Sequence, residues 1–341
     1  MSHGTTRESW AGDGPLPQGL IFPALLHSGI SETLQQNTNA FNAASRGAIQ
    51  LVPQFTLGDF EHETFYQSIG EALVARRLID VSPSNPEVNA LDLDQLDNIS
   101  VKVNRRVGPV KVTIDAFEKQ GRRRGVDELS FAIGEQVAKA MEVDWLNTML
   151  EALVAATVNQ ASQLIQPNSP LVTVTTNDLV DALAAYGDAL AAVRIWVMHS
   201  SVYYALVKEQ IASNITGISN FNIEAASPVT LNRPVLVTDS IALGDPNGSP
   251  ANMITLGVRE GGVTALQNGA PFVDTQIEQN RENLVVSMQG EHSYNVKVKG
   301  FAWDIPNAGV NPDTATISTG SNWDRTATDS KDLAAVALET F

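Results

Sequence analysis

The longest regular pattern of apolar residues lies between residues 127 and about 160. Apolar side chains recur there at every fourth position, the spacing of one face of an α-helix. Such a helix would span about 50 Å, more than the diameter of a small domain. We refer to it as the spine helix. Its apolar row, which we expect to be a shared core, consists of Leu129, Ile133, Val137, Met141, Trp145, Met149 and Leu153.

The second half of the spine helix carries almost no charge. Between Trp145 and Asn177 the only charged residue is Glu151. A long helix without charge cannot expose a whole face to water at low cost. We therefore expect it to be covered on most sides, either by its own domain or by neighbouring subunits. Gly134, inside the helix, costs about 1 kcal/mol relative to alanine.

Alternation of apolar and polar residues predicts strands before the spine helix. It occurs at residues 90–94, 100–104 and 109–115, after a predicted helical piece at 63–78 and a turn at 83–86. Together these segments predict a long β excursion, with little nearby sequence to cover its apolar face.

The chain after the spine helix alternates between helical and extended patterns. Residues 178–212 predict a compact helix–strand–helix unit, with a helix capped by Ser200 following the strand at 194–199. Later segments predict mostly strands, so the fold class is α+β. The predicted strands are 234–241, 253–258, 283–289 and 292–303, and residues 332–338 predict a short helix or strand.

Residues 1 to about 48 show no sustained periodicity and many Gly, Pro and uncharged polar residues. Such a segment buries too little apolar surface to fold alone, so we predict an arm that is either disordered or strapped onto another surface. It nevertheless contains an apolar patch, for which a neighbouring subunit would be the natural cover. The patch consists of Leu20, Ile21, Phe22, Leu25 and Leu26.

The composition favours self-association and argues against several other classes. Charged residues make up 18% of the chain, against about a quarter in an average domain. Low charge suits a surface that is buried against copies of itself, although an ordinary low-charge globular protein would also fit. The chain has no cysteine, which excludes disulfides and thiolate sites. No secretory signal or membrane span is predicted, so we expect synthesis in the cytoplasm and no membrane partner.

No catalytic motif is present, and we predict no catalytic residue, no cofactor and no metal. The five histidines are scattered singly, and a single histidine is more often structural than a ligand. Asp92, Asp94 and Asp97 resemble part of a calcium loop but lack its glycine and its final glutamate. A strand with an outward acidic stripe is the preferred interpretation.

A basic run between residues 101 and 125 departs from the acidic balance of the chain. The net charge is −16, and eight cations against two carboxylates give this run +6, leaving −22 for the rest. The run could contact DNA, form a solvated face, or pair with acidic segments of a neighbouring copy. We favour the last, because in an acidic homo-oligomer the nearest counter-charge is another subunit. The proposed assembly contacts are Lys102, Arg105, Arg106, Lys111, Arg122, Arg123 and Arg124, with Asp92, Asp94 and Asp97 as acidic partners.

The order of these elements resembles the Hong Kong 97-like fold of tailed-bacteriophage major capsid proteins. Residues 188–206 are similar to the helix, strand and helix of that family's axial domain. Asn311-Pro312, Ser321-Asn322-Trp323-Asp324 and residues 329–336 are similar to its carboxy-terminal stretch.

The resemblance implies a domain organisation and a function. It implies an N-terminal arm (1–48), an extended loop (49–120), a peripheral domain with the spine helix (121–169), an axial domain (170–280) and peripheral strands with the C-terminus (281–341). The function implied is non-enzymatic: self-assembly into hexamers and pentamers of an icosahedral virion shell that contacts packaged double-stranded DNA weakly. A separate scaffolding protein, or none, is implied, and a portal and decoration proteins are further implied partners.

Three alternatives remain open at this stage. An encapsulin-type cargo shell has the same fold, and a phage tail structural protein also self-assembles. A metal-free hydrolase is the third and is supported by no motif. Electron microscopy would separate closed shells from tubes and from persistent monomers.

Overall fold

The computed structural model describes most of the chain as a mixed helical and stranded molecule. The described residues are 23–53, 58–66, 74, 95–113, 115, 126–166, 174–216, 230–245, 252–269, 271–278 and 282–340. The α+β prediction is confirmed by the helices and sheets within them.

The spine helix is the longest helix in these ranges, which confirms its prediction. It runs from Val126 to Val158 as α2. The predicted helix–strand–helix unit is also present, with its first helix split in two. The helices are α1 (Pro23–Ala44), α2, α3 (Thr176–Ala184), α4 (Ser200–Thr216), α5 (Ile305–Ala308) and α6 (Thr314–Ile317), with a 3-10 helix at Gly187–Ala192.

The first sheet is built around one long strand. Strand β11 (Val285–Val298) pairs antiparallel with β3 (Gln95–Thr113) on one side. On its other side it pairs first with β10 and then with β9, so the strand order is β1–β9–β11–β3–β2. The remaining strands of this sheet are β1 (Ile49–Pro53), β2 (Phe60–Tyr66), β9 (Val263–Gln267) and β10 (Phe272–Glu278).

A second sheet is built from strands between residues 164 and 259 and from the last strand of the chain. Its order is β4–β14–β8–β5–β6, with β7 paired to β8, and β12 and β13 form a separate ribbon. The last strand, β14, therefore pairs with strands that lie far before it in the sequence. The strands of the second sheet are β4 (Leu164–Ile165), β5 (Val193–Met198), β6 (Val235–Val237), β7 (Gly244–Asp245), β8 (Asn252–Arg259) and β14 (Ala335–Thr340), and those of the ribbon are β12 (Phe301–Trp303) and β13 (Trp323–Arg325).

The spine helix lies in the main core, against α1 and the first sheet. Five members of its apolar row are buried, and Ile133 is partly buried. Leu129 lies in the helix, but its side chain is outside the described part. A second core joins α3, α4 and strands of the second sheet. The buried members of the row are Val137, Met141, Trp145, Met149 and Leu153.

Two secondary-structure predictions for the part of the chain before β3 were wrong. The sequence predicted no regular structure before residue 48, yet α1 occupies residues 23–44 because Leu26, Ile30 and Leu34 form a stripe buried against the spine helix. Leu26 is thus covered by its own subunit, whereas residues 20–22 lie outside the described range. The helix predicted at 63–78 is a strand up to Tyr66, where β2 pairs with β3, and nearly all of 67–78 lies outside the described residues.

The two strands predicted at 283–303 are largely one strand. Gly290 lies inside β11, close to β10, instead of forming a turn. Strands β9 and β10 were not predicted at all. The turn at 83–86 and the alternation at 90–94 fall outside the described ranges.

Gly134 is a contact point between the two helices of the core. A Cβ built on it would lie 2.6 Å from the Leu26 carbonyl oxygen and 3.3 Å from the Cα of Gly29. Only a residue without a side chain permits this approach. The glycine that weakens the isolated helix therefore allows α1 to pack against it.

We expect Gly134→Ala to destabilise the subunit even though alanine favours a helix by about 1 kcal/mol. The added methyl forces the backbones apart, and overpacking of this kind costs about 1–3 kcal/mol. The urea midpoint of the purified subunit would measure the net loss. Ala140→Gly, at an exposed site of the same helix, measures only the difference in helix propensity between alanine and glycine. A Gly134→Ala subunit more stable than the wild type would contradict the packing argument.

Candidate functional site

The cations of β3 lie on two different faces of the sheet. Successive side chains of a strand alternate, so Lys102 and Arg106 share the outer face while Arg105 points inward with Val101 and Val103. The inward valines are buried in the main core. The basic run is therefore not one continuous surface.

A bulge changes the alternation further along the same strand. Val107 pairs with Gly290 and Val110 with Met288, so two residues of β3 oppose one residue of β11. Gly108 accommodates this with a φ of +81°. The bulge returns Lys111 to the outer face, which unbroken alternation from Lys102 would not have done.

Arg105 forms its interactions within the subunit. Its Nε lies 3.1 Å from Oδ2 of Asp144, and its Nη2 donates to the Thr148 hydroxyl at 3.1 Å. The Tyr294 hydroxyl lies 2.9 Å from both the same carboxylate oxygen and the same Thr148 oxygen. Burial, together with the negative charge of Asp144, raises the pKa of Tyr294, which keeps the phenol neutral. These contacts join β3 and β11 to the spine helix.

Glu151 lies near the same cluster. It follows Asp144 by seven positions, so the two carboxylates share one helix face. Desolvation raises the pKa of Glu151, while the positive charge of Arg105 partly opposes the shift. The single charge in the second half of the spine helix thus lies where the half-buried Arg105 cation lowers the cost of burying it.

His292 completes the cluster without forming a hydrogen bond in the described part of the chain. Its ring stacks on Tyr294 at 5.9 Å and meets Trp145 edge-on at 6.1 Å. Both of its ring nitrogens are buried without a partner there. Burial, with a contribution from the nearby Arg105 and against the attraction of Asp144, lowers the pKa of His292 to about 4.

We expect acid to destabilise the subunit through His292. Its pKa falls from the ordinary value of 6.5 to about 4 on folding, so its contribution to stability is complete above pH 6.5 and is lost as the pH falls towards 4. The loss would reach up to about 3 kcal/mol, because the unfolded chain binds a proton that the folded chain does not. Urea unfolding at pH 7 and at pH 4.5 would measure it.

The comparison that isolates His292 uses His292→Phe, which keeps an aromatic ring but cannot be protonated. The variant should lose less stability than the wild type between the two pH values. Both proteins contain the same carboxylates, so the contribution of those groups to the pH dependence cancels in the comparison. His62→Gln, at an exposed site, should behave as the wild type. Identical losses in wild type and His292→Phe would show that the ring does not titrate in this window.

The other proposed contacts of the sequence are dispersed. Lys111 pairs with Glu278 of β10. Within the described residues Lys102 and Arg106 have no ion pair, and Arg106 lies opposite Glu291. Asp97 is exposed, 3.9 Å from Nδ1 of His62, on the other pleat face from Lys102. Arg122, Arg123, Arg124, Asp92 and Asp94 lie outside the described residues.

The carboxy-terminal stretch holds β3 at a point that sequence reasoning missed. The Asn311 side chain accepts a 2.9 Å hydrogen bond from the backbone N–H of Asn104, and Asn311 itself has a φ of +47°. Trp303 and Trp323 pack edge-to-face at 4.9 Å beside this loop. Asn311-Pro312 was noted only as a resemblance, because a partner 207 positions away leaves no local signal.

No group of three or more metal-binding side chains occurs within the described ranges. In the same ranges, no helix combines the length and apolar character needed to cross a membrane.

Comparison with known proteins identifies the family. The family model "Gp13-like: Major capsid protein 13-like" matches residues 20–337. No curated protein matches the sequence.

Solved structures show the same fold at low sequence identity. A chain of Mycobacterium phage Adephagia is 13% identical, with a TM-score of 0.52 over 86% of this chain and 89% of that chain. A chain of Mycobacterium phage Cain is 15% identical, with a TM-score of 0.52 over 84% and 90%. A chain of the cyanophage Pam1 capsid is 12% identical, with a TM-score of 0.51 over 86% and 88%. The chain therefore belongs to the Gp13-like major capsid protein family, as a non-enzymatic tailed-phage major capsid protein with the Hong Kong 97-like fold that its sequence resembles.

Proposed function

We propose that this capsid protein forms hexamers and pentamers, which close an icosahedral shell around double-stranded DNA. The observation that carries the proposal is the outer face of β3, where Lys102 and Arg106 have no ion pair within the described part of the subunit. In a chain of net charge −16, acidic surfaces of neighbouring copies are the most abundant counter-charges. Pairing between copies would neutralise both surfaces.

The acidic balance also bears on the contents of the shell. A wall of net negative charge repels a polyanion and lets it move without sticking. We therefore propose only weak contact with packaged DNA. Synthesis in the bacterial cytoplasm, a separate scaffolding protein, a portal and decoration proteins belong to the same proposal.

The division into arm, extended loop, peripheral domain and axial domain remains a proposal. The spine helix supports a peripheral unit at 121–169, and the second sheet supports an axial unit within 170–280. Three features cross these boundaries. Strands β9 and β10 pair in the first sheet, β14 lies between β4 and β8 in the second, and β4, from the proposed peripheral unit, pairs with β14.

Electron microscopy of the purified protein tests the proposal. Closed shells with five- and six-subunit rings are the expected result. Tubes would favour a tail protein, and persistent monomers would remove the assembly function. Particles isolated from infected cells should contain nuclease-protected DNA. Closed shells filled with a protein cargo and no DNA would instead indicate an encapsulin-type cargo shell.

A further inference from the structure

The second half of β3 has a hydrogen-bonded strand on only one side. Strand β2 pairs with residues 95–101 of β3, whereas β11 pairs with residues 101–113. After residue 101, the edge of β3 that faces away from β11 therefore has no paired strand among the described residues. The N–H and C=O groups of such an edge need other partners.

The carboxy-terminal stretch supplies one of these partners. The Asn311 side chain accepts the 2.9 Å hydrogen bond from the backbone N–H of Asn104. The indole Nε1 groups of Trp303 and Trp323 each donate to a backbone carbonyl of the same stretch at 3.0 Å, which braces the loop that carries Asn311. A braced loop therefore holds the open edge of β3 at one point.

The spine helix holds the next residue of β3 from its inward face. The Arg105 guanidinium reaches the Asp144 carboxylate and the Thr148 hydroxyl, both at 3.1 Å. The apolar contacts of the valines that precede it on this face are not directional. A guanidinium bonded to two acceptors is directional, so it fixes how the strand is rotated. Residues 104 and 105 thus hold the same point of β3 from two directions.

Two outward cations flank this point. Lys102 and Arg106 lie on the outer face of β3 and have no ion pair within the described part of the subunit. Side chains of a strand alternate between its faces, so a rotation of the strand at residue 105 would turn both cations together. The contacts of residues 104 and 105 therefore determine the direction in which Lys102 and Arg106 point.

We propose that Arg105 and Asn311 are positioning residues for assembly. They fix the direction of β3 relative to the spine helix, and thereby direct Lys102 and Arg106 towards the acidic surface of a neighbouring copy. Arg105 then acts through the two cations beside it and does not itself contact the neighbour. The proposal rests on the proposed shell assembly and deepens it.

Distance measurements in the unassembled full-length subunit test the positioning directly. The natural chain has no cysteine, so Val110→Cys on β3 and Val143→Cys on the spine helix, both at exposed sites, can carry two spin labels. Pulsed electron paramagnetic resonance then gives the distribution of distances between the labels. We expect one narrow distribution when the rest of the chain is wild type.

Two variants remove one contact each. Arg105→Met keeps a long unbranched side chain but loses both hydrogen bonds, and Asn311→Gly keeps the positive φ but loses the acceptor. Each should shift or broaden the distance distribution. Asn311→Asp is the matched control, because it retains an oxygen acceptor and tolerates the same φ, and it should keep the wild-type distribution.

Electron microscopy of the assemblies supplies the second measurement. Arg105→Met and Asn311→Gly should lose most closed shells of the wild-type diameter and give open or irregular assemblies. Val202→Ala controls for a general loss of stability, because Val202 is buried in the second core, away from β3. This control should lower the urea midpoint but still give shells of the wild-type diameter.

Unchanged label distances in both variants would overturn the positioning role. Changed distances with normal shells would also overturn the proposal, because the direction of β3 would then not govern assembly. If Arg105→Met does not fold, Asn311→Gly decides between these outcomes. Failure of the wild-type protein to form shells would instead count against the proposed function, while the label distances would still test the positioning.

Discussion

Replacing Trp145 with alanine is expected to lower the free energy of unfolding of the subunit by about 3–5 kcal/mol. The side chain is 1% exposed, and its indole ring meets both His292 and Tyr294 edge-on. It lies midway along the spine helix, where α1 and the first sheet converge. A cavity at this point would remove contacts with both. The free energy of unfolding of a typical domain is only about 5–15 kcal/mol in total. We therefore expect little soluble subunit and no normal shells.

Urea unfolding of any soluble variant and electron microscopy of its assemblies would measure the effect. The matched control is Val143→Ala on the same helix, where the valine is 59% exposed. It should change stability by less than about 0.5 kcal/mol. Normal shells and an unchanged urea midpoint for Trp145→Ala would mean that the indole is not a central packing element.

The spine helix could be predicted because its signal is local and repeated. Seven apolar residues at a spacing of four identify a helix without reference to the rest of the chain. The first helix carries the same kind of signal more weakly, since only Leu26, Ile30 and Leu34 form its buried stripe and the polar residues around them resemble a linker. This stripe is buried against the spine helix, which α1 approaches closely at Gly134. Tertiary packing of this kind is not visible in a local pattern.

The charged strand shows a different limit. The sequence identifies the cations of β3 and their alternation, but the face on which Lys111 lies depends on one bulge opposite Gln289. A shift of one residue moves every later side chain to the other face. Arg105, which precedes the bulge, shows a second limit, because its partners Asp144 and Thr148 are 39 and 43 positions away. Composition shows that a basic run exists, whereas only the fold shows which of its members are paired within the subunit.

Reversing Arg122, Arg123 and Arg124 to glutamate is expected to block or strongly slow shell formation without unfolding the subunit. The triple change takes the net charge from −16 to −22, since each reversal subtracts two. It would turn a proposed attraction between the basic run and the acidic surfaces of a neighbour into repulsion. Light scattering during assembly and the urea midpoint of the free subunit would measure the two effects separately.

A second triple variant distinguishes the segment from net charge. Arg46, Lys139 and Lys208 are exposed and well separated along the chain, so their reversal to glutamate gives the same net charge without altering the basic run. If the assembly contact is specific, only the first triple should fail, and raised salt should weaken wild-type assembly, because exposed charges are screened beyond about 8 Å at physiological ionic strength. Equal failure of both triples would assign the effect to general repulsion. Normal shells that lose only their DNA would transfer the basic run from subunit pairing to nucleic-acid contact.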